Sequence, residues 1–448
     1  MPGNEKLDTH QKALNLNLDP SKFGSFAEIG AGQEVARWFL AVGAASGTVA
    51  KTISAYDKEV SDDLYGPGVR YVSKERLEAM LDSEWAQLLK QLQKTRGPQT
   101  RFFSFVDTIS ARNFAGTNEP HGWAALRFQL QPAGQPHDIL LHINLRDPSN
   151  LLQQEAIGIL GVNLVYAAFH QMQTPESFLE GVAEGLENRI EIDYVDVRGP
   201  TFESWDRGSL LLLLVQMGLA EAVCFPAHGS PVPPSEVLYK KPVILAPGYF
   251  EHVDTTHAAI HERLMTAAIQ QFGKEFAGAK SPSGFFCIPA TPLAFRPISP
   301  ESSGLLGRIE ALRARGGSVL VFREQELYAM TDFVNRYTKE PVRFVIGLSL
   351  LIRAFEDRYA KLTGSFLEAL ARLFAQNVRI YAYPMTSTDL KEAIQSLSAT
   401  NLEWSETNGW VSADQLRLRP PAGHLFNYIL ASNFLVPMQI PAARTADA

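Results

Sequence analysis

Apolar positions recur along this chain at helical spacing first and at strand spacing afterwards. Val35, Trp38, Phe39 and Val42 form one stripe of a helix over residues 33–42. Leu77, Met80, Leu81, Leu88 and Leu89 do the same over 74–93, and Gly97-Pro98 ends that run. Beyond it the spacing shortens. Strands are expected at 101–109, 123–130 and 137–145, where Ile139, Leu141, Ile143 and Leu145 share one face. Asp147-Pro148-Ser149-Asn150 then turns the chain into a helix from 151 to 159, and 161–169 either continues it or forms a buried strand. Thr174-Pro175 starts the next helix, with Thr174 as N-cap and Pro175 at the first helical position, and a strand follows at 189–197.

Proline-rich connections dominate 200–300, with short strands at 242–246 and 284–288 and a helix over 254–272 capped by Asp254. From 305 to 384 short unbroken apolar runs such as SVLVF and RFVIG alternate with helical stretches. That alternation is the pattern of parallel βαβ units, whose strands are covered on both faces. The expected fold is α/β, with a largely parallel sheet in the C-terminal half, closed like a barrel or open and doubly wound, and a helical N-terminal segment. The expected divisions are 1–98, 99–300 and 301–440, followed by a disordered tail over 441–448.

Composition narrows the function classes. Of 448 residues 46% are hydrophobic and 20% charged, enough for a sizeable core. The net charge of −7 and the absence of a basic run argue against nucleic acid as partner. Two cysteines, Cys224 and Cys287, exclude a disulfide framework and a cysteine-rich zinc site, and no other metal is indicated. No apolar h-region follows the N-terminus and the longest apolar run is far too short for a bilayer, so neither secretion nor a membrane is expected. The cytoplasm is the simplest location.

Candidate chemistry lies in three stretches. FAEIGAG, from Phe26 to Gly32, resembles the opening motif of class I methyltransferases, in which glycines let the backbone approach a cofactor at a helix N-terminus. Asp57 then stands where an acid would meet a ribose hydroxyl, although Gln33 departs from the motif. The alternative is that the glycines only pack the turn closely. In RIEIDYVDVRG, ideal alternation places Glu191 and Asp193 on one face and Tyr194 and Asp196 on the other, with the acids directed to water, a cation or a cleft. In EHVDTTHAAIHERL, His257 and His261 share a helix face, and His257 lies near the helix start. His121 and Asn118 sit in the glycine-punctuated loop RNFAGTNEPHGW. No GxxxxGK[ST], GxSxG or HExxH is present.

FAEIGAGQEVARWF, ASGTVAKTISAYDKEVSDDLYG, QQEAIGILGVNL and RYTKEPV together resemble an uncharacterised bacterial family of about this length. Its members carry automatic labels such as TonB-dependent receptor or nicotinate-nucleotide adenylyltransferase. The sequence lacks the alternating strand series of a membrane barrel and the HxGH motif of the second class, so the resemblance carries over no catalytic residue.

The function expected from these residues is an enzyme acting on a small polar or anionic metabolite by carboxylate and histidine acid–base chemistry. Glu191, Asp193, His257 and His121 are the catalytic candidates. Glu28, Gln33, Lys51, Asp57 and Asn118 are the substrate-binding candidates. The alternatives are a non-catalytic ligand-binding or assembly protein and an S-adenosylmethionine- or nucleotide-binding transferase. The cofactor is unknown, and a homo-oligomer is compatible with the sequence.

Overall fold

The computed structural model describes residues 7–68, 70–250, 255–277, 280–291, 304–355, 362–397 and 402–438, without the side chains of 255–260 and 396–397. The N-cap expected at Asp254 and the tail expected at 441–448 lie outside the described residues. The chain divides into two compact units, Met1–Glu221 and Ala222–Ala448, and the divisions expected at 98 and 300 fall inside them.

The first unit is a six-stranded mixed sheet. Its strands are β1 (Lys22–Ile29), β2 (Val49–Ile53), β3 (Arg101–Ser110), β4 (His121–Gln129), β5 (Pro136–Leu145) and β6 (Ile190–Arg198), in the order β2-β1-β3-β4-β5-β6. The pairs β1–β2 and β1–β3 are parallel, and β3 to β6 run antiparallel. The N-terminal segment therefore contributes helices and also two strands of this sheet.

Its helices are α1 (Thr9–Asn17), α2 (Glu34–Ala41), α3 (Lys58–Tyr65), α4 (Lys74–Arg96), α5 (Asn150–His170), α6 (Pro175–Ala183) and α7 (Arg207–Gln216). Side chains stop the orphan N–H groups at several helix starts. Ser73 accepts from Arg76 N, Ser149 from Leu152 N, and Thr174 forms a capping box with Pro175 behind it. Phe26 on β1 meets Phe39 of α2 at 4.9 Å, and Phe103 on β3 meets Phe169 of α5 at 6.2 Å. The opposite face carries α4, where Trp85 and Leu88 pack with Phe23 and Phe102. The stretch 161–169 is the second half of α5, which is long and apolar enough to cross a membrane by composition alone. However, 67% of its apolar window is buried within the protein.

The second unit is a seven-stranded open sheet. The strands are β7 (Ala222–Phe225), β8 (Val243–Pro247), β9 (Ser283–Pro289), β10 (Ser318–Phe322), β11 (Val342–Gly347), β12 (Val378–Tyr383) and, near the end, β17 (Leu435–Pro437). Two small ribbons intervene, β13 (Met385–Thr386) with β15 (Trp410–Val411), and β14 (Leu402–Trp404) with β16 (Leu416–Leu418). The order is β17-β12-β11-β8-β9-β10-β7, parallel throughout except for β7. Helices α8 (Pro234–Leu238), α9 (Thr255–Glu275), α10 (Leu305–Ala314), α11 (Leu327–Tyr337), α12 (Leu348–Ala354), α13 (Ser365–Leu373), α14 (Ser387–Leu397) and α15 (Ala422–Ala431) connect the strands. The parallel C-terminal sheet is as expected. It is open, with β17 and β7 as edges, and not closed like a barrel.

Candidate functional site

At Gly30 the FAEIGAG turn is pressed against a neighbouring strand, which leaves no room there for a cofactor backbone. Gly30 has φ +101°, and a Cβ there would lie 1.8 Å from the carbonyl oxygen of Ile109. The glycine is needed because β1 leaves the sheet pressed against β3. Glu28 takes up the start of α2. Its Oε2 accepts from Val35 N and its Oε1 from Ala36 N, both at 2.9 Å. Those are the donors a ligand anion would need. Gly30→Ala is expected to cost about 2–4 kcal/mol, read as a shift in denaturant midpoint, because it adds left-handed strain to backbone overlap.

Glu28 faces Asp107 across the β1–β3 ladder, and both are buried. Burial raises both carboxyls, helped in Asp107 by the charge of Glu28, and Glu28 reaches about 7. Asp107 accepts from Ile29 N at 3.0 Å through Oδ1, while its buried Oδ2 has no partner. The folded state thus holds protons more tightly than the unfolded chain. The stabilisation is complete below the ordinary carboxyl value of 4.5 and is lost as pH rises through about 7. Asp107→Asn is expected to flatten this fall and to raise the denaturant midpoint at pH 8. Denaturant titrations at pH 5 and pH 8 measure it, and an unchanged slope would contradict the pairing.

The remaining binding candidates are mostly structural. Gln33 is exposed and donates to Thr52 Oγ1 at 3.0 Å. Lys51 pairs with the buried carboxylate of Glu84 at 2.5 Å, and Glu84 also accepts from Tyr65 Oη. Asp57 caps α3 by accepting from Glu59 N and Val60 N, so it is engaged by backbone and not set toward a ribose. Asn118 braces its loop, accepting from Asn113 N and donating to Ala111 O. Glu191 pairs with Arg146 and accepts from Glu221 N. His257 lies on α9, and its side chain is outside the described residues.

The acids of β6 were expected to face water or a cation in a cleft. They are buried and individually matched by protein groups. Asp196 is held by Lys74, Arg198 and Arg207. The expected alternation also fails at Asp193. The β5–β6 register shifts between His142 and Ile143, so that Tyr194 opposes His142, Ile192 opposes Ile143 and Asp193 opposes neither. A local irregularity of this kind re-aims a side chain. Here it lets Asp193 and Tyr194 gather around the same histidine.

The result is a hydrogen-bonded chain. Asp193 Oδ1 lies 2.6 Å from His142 Nδ1, and Asp193 Oδ2 accepts from Asn144 Nδ2 at 2.8 Å. His142 Nε2 lies 3.1 Å from His121 Nδ1. With His142 neutral and its Nδ1 donating to the carboxylate, His142 Nε2 accepts and His121 Nδ1 donates. The second nitrogen of His121, Nε2, then carries a lone pair and has no hydrogen bond among the described residues. Trp123 packs edge-on against both His142, at 4.9 Å, and Tyr194, at 5.5 Å, fixing the middle of the chain. Lys74 donates to Tyr194 Oη at 2.9 Å. Burial is the main cause that lowers His121 to about 4, with Arg70 adding to the effect. His121 is therefore neutral at pH 7.

The sheet topology puts His121 where β3 ends, β4 starts and β5 ends, beside the carboxyl ends of the parallel strands β1 and β2. Ligands of α/β sheets are met at that end. The sequence pointed to His121 and Asp193 but not to His142, which joins them, nor to Asn144, which holds Asp193. The signal was present in PHDILLHINL, where His142 and Asn144 interrupt the face opposite Ile139, Leu141 and Ile143. A cavity of about 470 Å³, lined by Glu180, Glu184 and Glu187, holds none of the catalytic candidates. No group of three or more potential metal ligands exists among the described residues.

Comparison with known proteins gives a partial likeness only. No protein-family model matches the chain, and no curated protein is similar to it. Among solved structures, the competence/damage-inducible protein CihA from Agrobacterium tumefaciens is 16% identical, covering 36% of this chain and 96% of its own, with a TM-score of 0.26. A competence or damage-inducible protein from Enterobacter asburiae is 15% identical over 36% of this chain and 99% of its own, with a TM-score of 0.26. A CinA superfamily protein from Enterobacter cloacae is 12% identical over 38% of this chain and 96% of its own, with a TM-score of 0.27. At these values the neighbours assign neither a family nor an activity to this chain. Their names bear on neither label carried by the bacterial family that the sequence resembles.

Proposed function

We propose that the first unit acts on a small polar or anionic metabolite, with His121 as the proton-accepting group. One observation carries this reading. The Asp193–His142–His121 chain ends on a ring nitrogen that is neutral at pH 7 and has no protein partner among the described residues. A proton taken at His121 Nε2 places positive charge on that ring. Its Nδ1 proton can then pass to His142 Nε2, leaving the charge on the imidazole beside Asp193. A carboxylate that orients and stabilises such an imidazolium is a recurrent device of general base catalysis. Arg70, whose charge reaches His121, supports an anionic substrate.

A second reading, a non-catalytic binding or assembly protein, is favoured by the apolar side chains exposed at the same end of the sheet, Phe114, Leu151 and Tyr56. One experiment separates the two. A pool of small polar metabolites is incubated with the protein and with His121→Asn, and both are followed by mass spectrometry. The catalytic reading expects at least one compound to be consumed by the unaltered chain and spared by the variant. A pool left unchanged by the unaltered chain, or consumed equally by both, overturns it.

A further inference from the structure

The order of the second sheet has one reversal point. From β8 the chain adds β9 and β10 on one side, then returns to place β11 on the other side of β8 and builds outward through β12 and β17. The crevice at the carboxyl ends of the two strands flanking such a reversal is where open parallel sheets bind ligands. A cavity of about 320 Å³ occupies this position. Tyr249 follows β8, Gln325 follows β10, Tyr383 ends β12, and Ser349 and Arg353 lie on α12 directly after β11. The volume falls within the range of small-molecule sites.

The wall is chemically selective. Arg353 is the sole charged group among the described residues that line it. Its guanidinium is half-buried and takes part in no ion pair or hydrogen bond among the described residues. A partly desolvated cation with no counter-ion among the described residues, facing a cavity whose described lining holds no carboxylate, favours an anion in that cavity. The hydroxyl of Tyr249 is engaged with Gln325 at 3.2 Å. Met330, Leu350 and Pro289 make the rest of the wall largely apolar. Gly347 gives this geometry its room, because a Cβ there would lie 2.8 Å from Tyr383 Oη and displace that ring. It lets the tyrosine close over the end of β11.

We propose that this crevice is a second ligand site, for a small molecule carrying one carboxylate or phosphate on a ring-bearing body, with the anionic group on Arg353 and the ring between Tyr383 and Leu350. The test is calorimetric titration of the full chain with two anionic probes, benzoate and adenosine 5′-monophosphate. Their neutral counterparts, benzamide and adenosine, are titrated in parallel. At least one anion is expected to bind, and its neutral counterpart at least tenfold more weakly. Arg353→Met should weaken the anion by about 10- to 100-fold, the usual worth of a hydrogen bond to a charged group, and Arg353→Lys should retain part of the affinity. Benzoate alone would identify a carboxylate ligand, the nucleotide alone a phosphate ligand, and both a site that reads the charge only. Binding of neither anion, equal binding of the neutral counterparts, or affinity unchanged in Arg353→Met overturns the proposal. The comparison of charged with neutral probes uses the unaltered chain, so it holds even if a variant fails to fold.

Discussion

Replacing Glu275 by alanine is expected to destabilise the second unit by about 3–5 kcal/mol, the usual cost of stripping one partner from a buried ion pair. Glu275, at the end of α9, accepts from Arg343 Nε at 3.0 Å, from Arg343 Nη2 at 2.5 Å and from Arg379 Nη1 at 2.7 Å. Tyr381 Oη also donates to it. Arg343 is fully buried in the middle of the parallel sheet, so without Glu275 its charge has no counter-ion there. The bonds to Val342 O, Asn377 O and Asn377 Oδ1 would remain, but Nε–H and one Nη2–H would lose their acceptor along with the charge partner. Burial raises the Glu275 carboxyl, but the bonds from Arg343 and Tyr381 outweigh it and hold the group below the ordinary carboxylate range. A group depressed in the folded state stabilises above its unfolded value and stops doing so as pH falls through the folded one. Glu275→Gln should therefore lose most of its cost in acid, while Glu275→Ala stays destabilised there. Denaturant titrations at neutral and acidic pH measure both. Equal stability of Glu275→Ala and the unaltered chain at pH 7 would mean that the cluster is solvated.

For any substrate that the first unit consumes, His121→Asn is expected to lower kcat/KM by about 10²- to 10⁴-fold, the range contributed by a positioned general base. The rate of the unaltered protein should rise as pH increases through the His121 value of about 4 and stay level through neutrality, because the neutral ring is the active form. Asp193→Asn separates catalysis from mere architecture. Asparagine keeps the size of the side chain and can still accept from His142 Nδ1, but it removes the charge that stabilises a protonated His142. A fall in kcat at constant KM is the expected signature, as for an orienting carboxylate behind a catalytic histidine. Loss of folding in Asp193→Asn, with His121→Asn fully active, would make the chain of bonds a structural network only.

Much of this was legible in the sequence, and the exceptions have physical causes. The stripe on α4 follows from helical periodicity, and the strands β3 to β5 and the βαβ run from α10 to β12 from apolar segments bounded by turns, their strands buried on both faces. The second half of α5 was ambiguous between helix and strand. It is buried nearly all round, between α2 and the sheet, and such a helix carries no period. The association of β1 and β2 with β3 was not legible, since pairing between distant segments leaves no local pattern. The face of Asp193 was misread for a related reason. Alternation assumes an even strand, and the register shift opposite His142 exists only in the paired sheet. The glycines of FAEIGAG raised the question of a cofactor turn, and the answer lies at Ile109, which no local reading of the motif contains.

The most direct test of the relay is the protonation of His121 itself. Nitrogen-15 spectra of the labelled protein, with His121 assigned through His121→Asn, report which ring nitrogen carries the proton and at what pH the ring charges. The hydrogen-bond order predicts a neutral ring protonated on Nδ1 from pH 5 to pH 8, charging only near pH 4. A ring that titrates at the ordinary histidine value of 6.5 would contradict the buried setting, and one that carries its proton on Nε2 at pH 7 would leave the first unit without a free base at that nitrogen.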